Sequence, residues 1–144
     1  MAKYPVSYTH VEIAPCPAFP NRRTTARPIL PVILQNGGQE WSCYALVDSG
    51  ADDVIFPASF AARLGFILQR GAYYQFGGAG SSNQPAWFFP LALNIGMAVS
   101  MQAFVGFSPA LESAGIGLLG QNGFFDRFKI EFDRRNDLFS IETT

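Results

Sequence analysis

The chain reads as a succession of short apolar and polar alternations separated by turn residues, the period-two pattern of strands that bury one face. A first strand is expected over 6–13, after which Pro15, Pro17 and Pro20 interrupt pairing and predict an irregular N-terminal arm over 1–26. From Ile29 the alternation resumes, Asn36-Gly37-Gly38 predicts a hairpin turn, and 41–47 is the returning strand, which delivers Asp48. Pro57 at the start and Gly65 just past the end bracket a short helix over 57–64, with Phe60 and Leu64 on one face. Further strands are expected at 72–76, 87–95, 100–107, 116–119, 128–133 and 138–142, the last two joined by the polar turn Arg134-Arg135-Asn136-Asp137. No repeat of about 20 to 50 residues, the mark of a solenoid or propeller, runs through the chain. The pattern predicts a mainly β, mainly antiparallel domain over 27–144, with one or two short helices, behind the arm.

Composition narrows the function. The 144 residues fit one domain, and 49% hydrophobic against 15% charged residues exclude a disordered tail. Ten basic and 11 acidic residues leave a net charge of -1, which offers no field to attract nucleic acid or an anionic membrane. A peptide or small molecule is the expected partner, with no nucleic acid and no membrane. No apolar run approaches the ~20 residues of a membrane span, and the first residues lack the apolar stretch of a secretory signal. The expectation is therefore a soluble, cytoplasmic protein. Cys16 and Cys43 are too few and too widely spaced for a zinc site and are expected as free structural thiols. His10 is the only histidine, so a Ser-His triad, a Cys-His pair or a multi-histidine metal site would have to be built around it. Its strand-like neighbours Tyr8, Thr9 and Val11 favour an ordinary surface histidine. Arg22, Arg23 and Arg27 belong most simply to a solvated arm.

One constellation carries chemistry. The apolar run Ala45-Leu46-Val47 ends abruptly at Asp48-Ser49-Gly50-Ala51, placing a carboxylate where a buried strand enters a tight turn. Alone, Asp-Ser-Gly is common turn chemistry. It gains specificity from a second apolar strand ending in glycine, Ile116-Gly117-Leu118-Leu119-Gly120, and from the glycine-rich hairpin between the two.

Together these parts resemble the retropepsins, the single-lobed aspartic proteases typified by retroviral proteases. The resemblance spans about residues 27–132. Asp48-Ser49-Gly50-Ala51-Asp52-Asp53 matches the family's Asp-Thr/Ser-Gly-Ala signature with its two following acids, and Leu118-Leu119-Gly120 matches its hydrophobic-hydrophobic-Gly signature. Arg27-Pro28 and Gly37-Gly38-Gln39 resemble the retroviral segment leading into the active site. The resemblance implies a closed antiparallel β-barrel, active as a two-fold homodimer, and a cofactor-free aspartic endopeptidase. Asp48 is then catalytic, Ser49 hydrogen-bonds across the two-fold, and the Gly50 carbonyl accepts a hydrogen bond from bound peptide. Asp52 and Asp53 hold substrate backbone, while Ile55 and Leu118 line apolar pockets. Ala51, Leu119 and Gly120 support the site, with Gly120 packed beneath the catalytic loop where a side chain would intrude.

The segment Phe76-Gly77-Gly78-Ala79-Gly80-Ser81-Ser82-Asn83 fits the family's mobile flap, so Gly77, Gly78, Ala79 and Gly80 are expected at the substrate. A phosphate loop is the competing reading of these glycines, but no Lys-Ser/Thr and no helix follow. Gln121 departs from the pattern, since many members carry there an arginine that pairs with the carboxylate matching Asp52; Arg27 is the candidate replacement. No other aspartate is followed by Ser/Thr-Gly, so the second carboxyl group that the chemistry needs would come from a second copy. The alternative is a weak or inactive relative, a dimeric cleft that binds peptides or serves assembly.

Overall fold

The strands pair into three sheets, the largest of them closed on itself, in the computed structural model, which describes residues 2–77, 83–96 and 99–143. In chain order the strands are β1 (Ala2–Ser7), β2 (Thr9–Glu12), β3 (Thr24–Arg27), β4 (Ile29–Asn36), β5 (Gln39–Val47), β6 (Ile55–Pro57), β7 (Ala72–Phe76), β8 (Gln84–Asn94), β9 (Ser100–Ser108), β10 (Gly117–Leu119), β11 (Lys129–Asp133) and β12 (Leu138–Thr143). Among the described residues one α-helix, α1 (Ser59–Arg63), follows β6. The β4–β5 hairpin turns at Gly37-Gly38, with Gly37 at φ 58°, a conformation that glycine reaches without strain.

Strand β4 pairs with β5, β5 with β10, β10 with β6, β6 with β9, β9 with β8, and β8 returns to β4. Six strands thus form a ring, and β7 adds to β8 outside it. The ring corrects one expectation, because it is not antiparallel throughout: β5–β10 and β6–β9 run parallel. Parallel neighbours require long crossovers, and the chain supplies them, with the whole of β6 to β9 lying between β5 and β10. The consequence is functional, since parallel β5 and β10 end at the same rim.

Inside the ring, Leu30, Val32 and Leu34 of β4 meet Leu91 and Leu93 of β8, Val105 and Phe107 of β9, and Phe56 of β6, none more than 3% exposed. Burying each large side chain contributes roughly 1.5 to 3 kcal/mol. Helix α1 lays Phe60 against the rings of Trp41 and Phe56, at centroid distances of 5.8 and 6.3 Å. A separate three-stranded sheet, ordered β1-β12-β11, contributes Phe139 and Ile141 to the same core.

The N-terminal segment is more regular than its prolines imply. The strand expected over 6–13 breaks at Tyr8 into β1, paired with β12, and β2, paired with β3. Tyr8 sets its ring edge-on to Phe139 at 5.6 Å, and His10 Nε2 lies 2.6 Å from Asp137 Oδ2, tying β2 to the turn between β11 and β12. Strands β3 and β6 were not anticipated. In β6 all three residues are buried, so no alternation marks it, and Pro57 closes this strand instead of opening the helix.

Candidate functional site

Asp48 emerges where β5 and β10 end side by side. Val47 is in register with Leu119, both are buried, and the Asp48 amide donates to the Leu119 carbonyl at 3.1 Å. The loop then closes on itself. The Ala51 amide donates to the Asp48 carbonyl at 3.1 Å, and the Gly50 amide donates to Asp48 Oδ1 at 2.9 Å. The carboxylate is thereby oriented by its own turn, as short acidic side chains commonly are. Ser49 is exposed at the tip, and among the described residues its hydroxyl has no partner within the chain.

The second signature braces this loop from behind. A Cβ on Gly120 would lie 2.6 Å from the Ala51 carbonyl oxygen and 2.8 Å from the Asp53 amide nitrogen, both unyielding backbone atoms. With no side chain there, the Gln121 amide donates to the Ala51 carbonyl at 2.9 Å and the Asn122 amide to the Asp52 carbonyl at 2.8 Å. Gln121 also sends its side-chain Nε2 to the Ser49 carbonyl at 2.7 Å. A neutral amide therefore clasps the loop where the family's pattern has an arginine. Arg27 lies on β3 opposite Thr9 and, among the described residues, makes no ion pair with Asp52.

These elements open onto a cavity of about 230 Å³ lined by Asp48, Gly50, Ala51, Asp52, Asp53, Ile55, Leu118, Phe76, Gly77 and Gln84. The structure thus brings together most of the residues singled out from the sequence. Leu119 and Gly120 stand behind the wall, and Gly78, Ala79 and Gly80 fall outside the described residues. Gln84 was missed and Phe76 was seen only as the start of the glycine-rich segment. Their signal was symmetry, since they face each other in the β7–β8 register across that segment.

Asp52 and Asp53 also line a second cavity of about 430 Å³, walled by Ala72, Tyr73, Tyr74, Phe88, Phe104 and Asn122. Partial burial raises the pKa of Asp53 above the ordinary 3.8, the Asp52 charge adds to the rise, and a side-chain hydrogen bond with Asn122 opposes it. A larger cavity of about 730 Å³ lies away from Asp48, between β4, β5 and the turn from β8 to β9, and no carboxylate is among the described residues lining it. On its wall is the half-buried Cys43, whose thiol is pushed up to about 12 by burial, leaving little thiolate at neutral pH. Among the described residues no group of three or more His, Cys, Asp or Glu could hold a metal ion, and no helix is long and apolar enough to cross a membrane.

No family model matches this chain, and no curated protein does. Among solved structures it is similar to the crystal structure of a retropepsin-like aspartic protease from Rickettsia conorii, with a TM-score of 0.59 and 20% identity over 97% of this chain and 98% of that one. At that identity the likeness shows a shared fold, mainly β and retropepsin-like, over the whole length, including the strands before residue 27.

Proposed function

We propose that the chain is an aspartic endopeptidase whose active site forms when two copies pair about a two-fold axis, each contributing Asp48. The observation that carries this reading is the position of Asp48. It stands at the joint end of two parallel strands whose last residues, Val47 and Leu119, are buried, its carboxylate is held by the Gly50 amide at 2.9 Å, and it faces a cavity. A surface turn has no need of a glycine wedge and a glutamine clasp beneath it; a carboxyl group that must be held in register does.

The chemistry follows from two carboxyl groups sharing one proton. The ionised one takes a proton from a water molecule as the water oxygen bonds to the peptide carbonyl carbon. The protonated one gives its proton to the carbonyl oxygen, forming a tetrahedral diol. Collapse of that diol breaks the carbon–nitrogen bond, with a proton delivered to the departing nitrogen. One Asp48 per chain cannot fill both roles, which is why the reading requires a pair. Ser49, exposed beside it, then reaches across the two-fold to brace the two loops. Gly50 and Gly77, both lining the cavity, hold peptide backbone, with Asp52 and Asp53 towards its ends and Ile55 and Leu118 against apolar side chains.

The test is mixed refolding of wild-type chains with Asp48→Asn chains at fixed total concentration, with peptide cleavage followed by mass spectrometry. If each site draws one Asp48 from each chain, activity falls as the square of the wild-type fraction, so an equal mixture retains about a quarter of full activity. A linear fall, with chain exchange verified, overturns the shared site.

A further inference from the structure

The second cavity has a chemistry of its own. Tyr74 and Phe104 are 51% and 55% exposed, unusually open for large aromatic side chains. They are joined by Phe88, whose ring lies 6.1 Å from that of Tyr74 and stacks on that of Phe104 at 5.4 Å. Phe88 lies flat across β9 because the residue beneath it is Gly106, where a Cβ would come 2.7 Å from the Phe88 Cζ. The result is a continuous aromatic wall, formed by three strands of the sheet, facing two carboxylates. No lysine or arginine is among the described residues lining this cavity, and the amide of Asn122 is the neutral partner of Asp53 there.

We propose that this cavity is a subsite for a lysine or arginine side chain of the bound peptide, its charge at Asp53 and Asp52 and its stem along Tyr74, Phe88 and Phe104. The inference rests on the reading of the neighbouring cavity as a peptide cleft, with which this one shares Asp52 and Asp53. Aromatic faces attract cations through their negative π clouds, and carboxylates do so through charge. An acidic side chain meets repulsion here, and a purely apolar one leaves the carboxylates without a partner. Burial and the Asp52 charge both disfavour ionised Asp53, and a bound cation relieves that cost. The preference concerns a residue displaced from the scissile bond, because Asp48 is not part of this wall.

The experiment uses N-acetylated, C-amidated peptides with an apolar centre and a single variable position, moved along the peptide and filled with lysine, arginine, norleucine or glutamate. Binding to the wild-type chain is read by fluorescence anisotropy with dye-labelled versions, and cleavage by mass spectrometry. The expected result is a gain of about fivefold to tenfold for lysine or arginine over norleucine at one position only, with glutamate weakest, and a smaller gain at high salt. The gain should shrink severalfold in Asp53→Asn and in Phe104→Leu and vanish when Asp52→Asn is added to Asp53→Asn, each variant first shown to melt cooperatively. A cationic preference in binding without any cleavage would support the subsite and overturn the hydrolytic reading. Cleavage with no cationic preference, or a preference that survives the loss of both carboxylates, overturns the subsite and leaves the hydrolytic reading standing. Peptides that neither bind nor are cut overturn both.

Discussion

Replacing Gly120 with alanine drives one methyl group between the two backbone segments that hold the Asp48 loop. The new Cβ would sit 2.6 Å from the Ala51 oxygen and closer still to the Asp53 carbonyl oxygen, whereas ordinary contact begins at 3.4 Å, so the loop must retreat by at least about 0.8 Å. Overpacking of this kind costs about 1 to 3 kcal/mol. The retreat also stretches the bonds from the Gln121 amide to Ala51 and from the Asn122 amide to Asp52, each worth about 0.5 to 1.5 kcal/mol. The sum is a loss of about 2 to 6 kcal/mol, or a fall in melting temperature of about 5 to 20 °C for a domain of this size. Thermal denaturation by circular dichroism measures the first effect. Peptide cleavage, assayed well below the lowered transition, measures the second, and it should be severely reduced because Asp48 moves with the loop. Gly38→Ala is the control: a Cβ there meets nothing within 4 Å, so stability should change by only a few tenths of a kcal/mol. A Gly120→Ala chain that melts and turns over like wild type would refute the placement of this glycine beneath the catalytic loop.

Asp48→Asn should abolish cleavage while leaving the melting temperature within a few degrees of wild type, because the amide oxygen can still accept from Gly50 but the group cannot exchange a proton; retained turnover would dismiss Asp48. For Asp53 the folded pKa is raised, so its contribution to stability is present below 3.8 and is lost as pH climbs through the folded value. Asp53→Asn should therefore flatten the decline in stability just above pH 3.8, as read by urea titrations at stepped pH, and an unchanged slope would contradict the burial of this group. Cys16 is exposed while Cys43 is half-buried and pushed up to about 12, so at pH 8 a thiol reagent should modify one cysteine promptly and the second much more slowly until the chain unfolds. Prompt reaction of both would show that Cys43 is not shielded.

What the sequence determined by itself is local. Alternation along 72–76 and 100–107 and the turn residues at Asn36-Gly37-Gly38 and 134–137 reproduce β7, most of β9, the β4–β5 hairpin and the β11–β12 turn, because side-chain period and backbone sterics act over a few residues. The two signatures around Asp48 and Gly120 were legible for the same reason, as apolar runs stopped by special turn chemistry. Only the tertiary structure decided what lies beside what. Strand β6 has no alternation to read, since ring closure buries it on both sides, and β3 is a strand only because β2 offers it a partner. The parallel pairing of β5 with β10 joins residues far apart in sequence, and that pairing sets Gly120 under the Asp48 loop and turns Gln121 from a departure into a clasp on Ser49. The aromatic wall is equally non-local: Tyr74, Phe88 and Phe104 come from three strands, and each alone reads as an ordinary hydrophobic position. Such contacts arise from closure of the sheet, which depends on every strand at once and is not written in any one segment.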